Sequence, residues 1–398
     1  MKKLIALLLS VLMLLTMLCA CADTAVDDPV VTEDTTVSEP PVTTTEAPIA
    51  EEVIATPAPD ELIKQMSIGW NLGNTLDAPD GENSWGQPTT TKEMIDKLKE
   101  LGFNTIRVPV SWGKHVDKNR NIDKSWLDRV QEVVDYGIDN GMYVIINSHH
   151  DNDYYYPSKE KAKASGEYIK DIWYQVAERF KDYDYHLIFE SMNEPRLAGT
   201  NNEWWFDTNS QTCRDSAAVL NELNQIFVDT VRATGGNNTD RYLSVPPYSA
   251  SPYDALNQYF SMPKDSVENR LILSIHAYTP YDLVMGNGMD KVKFGQSEES
   301  SIDDFMIKIY NNYVKKGIPV YIGETGCINK NNADARYEWA YYFNKKALDL
   351  GMMICVWDNG NDATGTESYA FFDRRALKIF DNSMCVYNGF MDALGDAQ

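Results

Sequence analysis

The chain has 398 residues, with 59 acidic against 36 basic side chains, a formal net charge of −23 and 43% hydrophobic residues. Residues 62–398 by themselves are long enough for either two ordinary domains or one large barrel. So large an acid excess, with no basic stripe, argues against a nucleic-acid partner, whose phosphates would need cations.

Lys2 and Lys3 precede an apolar run from Leu4 to Leu18, and small residues follow it, so residues 1–21 have the layout of a secretory signal peptide. The run is too short for a comfortable membrane span. Its end, Leu18-Cys19-Ala20-Cys21, resembles a bacterial lipoprotein box, which would put a lipid on Cys21 and hold the exported protein at the cell surface. A cut after Ala22 would release it instead. Residues 22–61 are rich in Thr, Pro, Val, Glu and Asp, lack Lys and Arg, and read as a disordered extended spacer. Eleven acidic residues fall in that stretch, so nearly half of the net charge says nothing about the remainder.

Residues 62–398 show no second break of this kind and read as one domain. Short apolar runs alternate with longer amphipathic ones. Strands are expected at Ser67 to Leu72, Thr105 to Val110, Tyr143 to Asn147, Leu187 to Ser191, Tyr242 to Val245, Leu271 to His276, Val320 to Gly323 and Met353 to Trp357. Their helices follow near Lys92 to Leu101, Trp126 to Asn140, Gly166 to Phe180, Ser216 to Thr234, Tyr253 to Tyr259, Ser301 to Lys316, Ala333 to Leu350 and Met384 to Leu394. Gly102, Gly141, Gly317 and Gly351 each stand where a helix would stop before the next strand. Eight strand-helix units of this kind predict a single (β/α)8 barrel. The polar segment from Gly286 to Ser300 is expected to be a mobile rim loop.

A barrel of this type does its chemistry at the C-terminal ends of its strands. The polar and aromatic residues there are Asn71 and Asn74, Arg107 and Trp112, His149, His150 and Asp151, Asn193 and Glu194, Tyr248, His276 and Tyr278, Glu324, and Trp357, in strand order. Glu194 and Glu324 follow the fourth and seventh strands. Two carboxyls brought into one cleft suit cleavage of a glycosidic bond, one donating a proton to the leaving oxygen and one attacking the anomeric carbon. Glu194 would need a raised pKa to act as the acid, whereas Glu324 would need donors and positive charge to stay ionised. Arg107, between Ile106 and Val108 in a buried run, is the best such donor, because an unpaired guanidinium there would be costly. Asn193 suits a bond to a sugar 2-hydroxyl, and Tyr278 could donate its hydroxyl to the nucleophile. His149, His150 and His276 with Asp151 also raise a metal site. The first strand offers Gly-Trp-Asn and no His, so neither a metal nor another cofactor is expected.

The words Gly69-Trp70-Asn71-Leu72-Gly73-Asn74-Thr75-Leu76-Asp77, Ile106-Arg107-Val108-Pro109-Val110-Ser111-Trp112, Ile146-Asn147-Ser148-His149-His150, Glu190-Ser191-Met192-Asn193-Glu194-Pro195, Ser274-Ile275-His276-Ala277-Tyr278, Gly323-Glu324-Thr325-Gly326 and Val356-Trp357-Asp358 occur in order along the domain. In them the chain resembles the bacterial endoglucanases of glycoside hydrolase family 5, and its first word resembles subfamily 4. The resemblance implies a retaining endo-β-1,4-glucanase for cellulose-like, mixed-linkage or xyloglucan-type β-glucans, with Arg107 holding the nucleophile and His149 touching sugar. Xylan or mannan as the main substrate is an alternative, as is a non-catalytic glucan-binding surface lipoprotein. Intact Glu194, Glu324 and Arg107 speak against the latter.

Sugar rings stack on flat aromatic faces. Trp357 is expected to floor the subsite beside the scissile bond, and Trp204, Trp205, Trp85, Trp112, Tyr155, Tyr156 and Tyr248 could line the rest of the groove. With no carbohydrate-binding module accompanying the domain, soluble or decorated glucans are expected over crystalline cellulose. Cys213, Cys327, Cys355 and Cys385 are expected as free thiols, and the protein as a monomer.

Overall fold

The computed structural model describes residues 55–286 and 293–397. The signal peptide, Cys21 and most of the spacer lie outside them. In chain order the elements are α1 (Pro59–Met66), β1 (Ile68–Asn71), α2 (Lys92–Glu100), β2 (Thr105–Val108), α3 (Lys124–Asp139), β3 (Tyr143–Asn147), α4 (Ala162–Arg179), β4 (Leu187–Glu190), α5 (Gln211–Ala233), β5 (Leu243–Val245), α6 (Pro252–Ala255) and β6 (Leu271–His276). There follow α7 (Tyr281–Val284), α8 (Gln296–Asn312), β7 (Val320–Thr325), α9 (Ala333–Asp349), β8 (Met353–Val356), β9 (Phe372–Asp373), β10 (Lys378–Ile379) and α10 (Met384–Gly395).

Strands β1 to β8 pair in sequence order, all parallel, and β8 closes back onto β1. Strands of such a barrel are covered on both faces, by helices outside and by packed side chains within, which is why they read as unbroken apolar runs. Two irregularities fall at the future site. The β6–β7 register shifts between Ile275 and His276, and the β7–β8 register shifts between Ile322 and Thr325. Bulges of this sort re-aim side chains, here on both sides of Glu324. Gly323 permits the close packing, since a Cβ there would sit 3.1 Å from His276 Nε2 and from the Tyr321 ring.

Three expectations change. The globular fold begins before residue 62, because α1 starts at Pro59, where proline fits a first helical turn. Its Leu62, Ile63 and Met66 face Tyr143, Ile145, Ile188, Tyr242, Ile272, Tyr321, Met353 and Cys355, which form an apolar cluster at the N-terminal end of the strands. Asn104 Nδ2 donates to the Gln65 carbonyl and the Tyr242 hydroxyl to the Pro57 carbonyl, fastening this plug. Secondly, residues 296–300 of the expected rim loop form the first turn of α8, while 287–292 lie outside the described residues. Finally, the helix expected over Tyr253 to Tyr259 is a single turn, α6.

Candidate active site

Arg107 projects from β2 into the cleft end of the barrel and is fully buried. Its Nε donates to Glu190 Oε2 at 2.9 Å, its Nη1 to Asn71 Oδ1 at 2.9 Å and to Glu324 Oε1 at 2.8 Å, and its Nη2 to Asn193 Oδ1 at 2.8 Å. A guanidinium offers five N–H groups in a fixed fork, so these partners fix one another's positions. Tyr278 adds its hydroxyl to Glu324 Oε2 at 3.2 Å. Arg107 occupies Oδ1 of Asn193, so the NH2 group is the side of that amide left to donate elsewhere.

Glu194 follows β4 in the loop and accepts from His276 Nδ1 at 2.8 Å. The other nitrogen of His276 lies 3.4 Å from Arg107 Nη2, which can only donate. Nδ1 is therefore the nitrogen placed to donate to Glu194, and Nε2 the one placed to accept from Arg107. The same reasoning fixes His149. Asn147 Nδ2 approaches its Nδ1 at 3.2 Å, so the proton resides on Nε2. One oxygen of Glu194, one of Glu324 and a nitrogen of His276 lie within 4.8 Å of one another.

The two carboxyls titrate as a pair. In the open cleft burial pushes Glu194 up, but the His276 hydrogen bond and the charges of His276, Arg196 and Arg107 bring it below the ordinary carboxylate value. Burial leaves Glu324 above that value despite His276 and Arg107. These directions reverse the ones expected for an acid and a nucleophile; the lowering of Glu194 draws first on the His276 contact, whereas the rise of Glu324 comes from burial. Glu324 keeps a 2.8 Å ion pair with Arg107, and Arg196 lies 3.7 Å from Glu194.

Around this pair the expected rim residues separate into two groups. Trp357 is half-buried and lies parallel to the His149 ring, with centroids 5.9 Å apart. Gly73 lies beneath it, since a Cβ there would be 2.9 Å from the indole. His150 sits edge-on to His149 and against Trp85. Trp204 and Trp205 are 62% and 75% exposed. Asn74 adopts the left-handed conformation (φ 57°), and its backbone N–H donates to Asp77. By contrast Trp112 is fully buried, its indole N–H committed to the Asn147 carbonyl, so it offers no face to a sugar. Tyr248 is likewise buried, and its hydroxyl ties down the loop after Glu194 by accepting from Leu197 N and donating to the Asn202 carbonyl. Tyr155 is buried too.

Three charged residues not singled out from sequence shape the site. Glu190 pairs with Arg107 from below. Arg196 donates to the Glu194 carbonyl at 2.8 Å and to Glu203 Oε1 at 3.2 Å, and its guanidinium covers the Trp204 ring at 3.9 Å. Asp358 accepts from the Trp70 indole and from the backbone N–H groups of Gly360, Phe371 and Phe372, so it fastens the loop that carries Trp357. Among the described residues, a second trio, Asp77, His149 and His150, also comes within metal-binding distance. Asp77 already accepts the N–H groups of Asn74 and Thr75.

A closed parallel barrel with two carboxyls this close, one on a guanidinium and one on an imidazole, is the apparatus of a retaining glycoside hydrolase. Residues 69–363 match the family Cellulase (glycosyl hydrolase family 5). The chain belongs to that family. It is 44% identical over 324 residues to "Cellulase/esterase CelE" of Acetivibrio thermocellus, covering 80% of this chain and 39% of that one. It is 43% identical over 335 residues to Endoglucanase A of Ruminococcus albus, covering 81% of this chain and 90% of that one. Of Endoglucanase A of Clostridium longisporum the chain spans 66%. The structure of a glycoside hydrolase family 5 lichenase from Caldicellulosiruptor sp. F32, a mutant in complex with cellotetraose, superposes with a TM-score of 0.80 at 46% identity, covering 87% of this chain and 98% of that one. A broad-specificity subfamily 4 endoglucanase from Ruminococcus champanellensis with bound cellotriose gives 0.79 at 41% identity, covering 84% and 98%.

Proposed function

We propose that the protein is a retaining endo-β-1,4-glucanase that cleaves internal bonds of cellulose-like, mixed-linkage or xyloglucan-type β-glucans. The observation that carries this reading is the Glu194–Glu324 pair, with oxygens within 4.8 Å. Inverting enzymes hold their carboxyls about 6.5–9.5 Å apart to admit a water, and retaining enzymes about 5–5.5 Å. Glu194 gives its proton to the leaving oxygen as Glu324 bonds to the anomeric carbon and the glycosidic bond breaks. Water then attacks the glycosyl-enzyme, losing a proton to Glu194, and Glu324 departs as a carboxylate. Asn193 donates to the sugar 2-hydroxyl, Trp357 floors the adjoining subsite, and Trp204 and Trp205 extend the groove.

The lichenase and the broad-specificity endoglucanase among the similar structures support a β-glucan substrate. Initial rates on lichenan, xyloglucan, carboxymethyl cellulose, xylan and glucomannan rank the substrates. Glu324→Ala should be inactive and regain turnover with azide, yielding a glycosyl azide of inverted configuration. A first product of α configuration from the wild-type enzyme would refute the mechanism. The sequence Leu18-Cys19-Ala20-Cys21 further supports export followed by lipid attachment at Cys21. Metabolic labelling with a fatty acid that is unchanged in Cys21→Ser would refute that attachment. Light scattering checks the monomer reading.

A further inference from the structure

Glu190 ends β4 one turn of chain below the acid and is wholly inaccessible. Its Oε2 accepts from Arg107 Nε and Asn147 Nδ2, both at 2.9 Å, with Arg107 Nη2 at 2.8 Å. Its Oε1 accepts the hydroxyls of Ser274 at 2.5 Å and Tyr321 at 3.0 Å. No sugar can reach it. We infer that Glu190 is a positioning residue that neutralises Arg107, so that the guanidinium orients Glu324 without spending its full charge there.

This inference rests on Glu324 being the nucleophile. Arg107 makes 2.8 Å ion pairs with both carboxylates. Paired with Glu324 alone, it would make that oxygen a poorer nucleophile. Once Glu324 had bonded to the anomeric carbon, it would also stand as an unpaired buried cation beside an oxocarbenium-like transition state. With Glu190 ionised, the charge beneath the sugar ring is −1 before the bond forms and zero after it. The flank is otherwise uncharged. Asn71 on β1 and Ser244 on β5 carry no charge, and burial pushes the His149 imidazole well below its ordinary value, so it stays neutral. Burial pushes the hydroxyls of Tyr278 and Tyr321 well up and the Cys355 thiol up to about 12, so all three stay protonated. Glu194 on the cleft side and His276 between it and Arg107 are the remaining titratable groups.

Glu190→Gln and Glu190→Asp separate charge from shape. In the glutamine variant the Ser274 and Tyr321 hydroxyls can turn to accept from the new amide, so the hydrogen-bond network can close again. On a soluble β-glucan, Glu190→Gln should shift the acid limb of kcat/KM down by about one pH unit, as the whole charge of Arg107 falls on Glu324. Its kcat should fall at least about tenfold with KM little changed. Glu190→Asp should keep the wild-type acid limb. Should the glutamine variant fail to fold, Ser274→Ala serves: with one donor fewer, Glu190 competes harder for Arg107, and the acid limb should move up. An acid limb unmoved in the folded glutamine variant, or unmoved in Ser274→Ala, overturns the inference. Hydrolysis by Glu324→Ala without azide would instead overturn the assignment of the nucleophile.

Discussion

Replacing Arg196 by Gln should extend activity toward higher pH. Its guanidinium lies 3.7 Å from Glu194 Oε2, with the two side chains 13% and 15% exposed. A unit charge at that distance is worth about 1 kcal/mol at the dielectric of water and several times more at an effective value of 20. The cleft is open, so the lower figure governs, and it corresponds to roughly one pH unit. A nearby cation favours the ionised carboxylate, so its removal lets Glu194 hold the proton longer, and the basic limb of kcat/KM should rise by about that amount. The same change frees Glu203 and uncovers Trp204, which should raise KM. Rates across the pH range on a soluble mixed-linkage glucan, with the folded state checked by circular dichroism, measure both effects. A basic limb that stays put or moves down would refute the electrostatic role.

Asp77 supplies a stability prediction. Burial raises its carboxyl from 3.8 to about 6, so its ionisation costs the folded state about 3 kcal/mol. That cost is present above pH 6 and vanishes as pH falls through the window to 3.8, so this group adds stability on acidification. In denaturant titrations, the stability difference between wild type and Asp77→Asn should change by about that amount across the window; a constant difference would contradict the burial argument. Asn193→Ala should cost about 1.5–3 kcal/mol in kcat with little change in KM, since it removes a bond that tightens in the transition state. A chain beginning at Ala55 should show its four cysteines as free thiols when denatured, with Cys385 the first to react in the native state, because Cys213, Cys327 and Cys355 are buried.

The barrel strands were the most legible part of the sequence. Runs such as Tyr143-Val144-Ile145-Ile146-Asn147 are apolar throughout because both faces are covered, and β3 matches that reading residue for residue. Helix starts were less legible, since α4 and α5 open four or five residues before their clear amphipathic pattern, on turns that face solvent. Helix α1 was hidden by its flanking prolines and acids, with three buried residues as its whole signal. Residues at strand ends whose side chains lie inside the barrel, such as Arg107, His276 and Glu324, do come together. Aromatic residues could not be sorted that way. Past a strand end the alternation of faces is lost, so Trp112 turned into the core and Trp204 to solvent with nothing in the spacing to distinguish them. Glu190 does carry a signal in the sequence: a carboxylate inside Leu187-Ile188-Phe189-Glu190 needs a buried cation, and Arg107 in the β2 run supplies it.

The plug at the foot of the barrel also fixes where the first described residues stand. Helix α1 covers the N-terminal ends of the strands, whereas Glu194 and Glu324 stand at the opposite rim. Pro57, whose carbonyl accepts from the Tyr242 hydroxyl, is held on that same side, across the barrel from the groove. A tether, a surface or a fused partner joined there would leave both ends of a bound polysaccharide free to run past, and immobilisation through this terminus should preserve access to long chains where coupling through the rim would not.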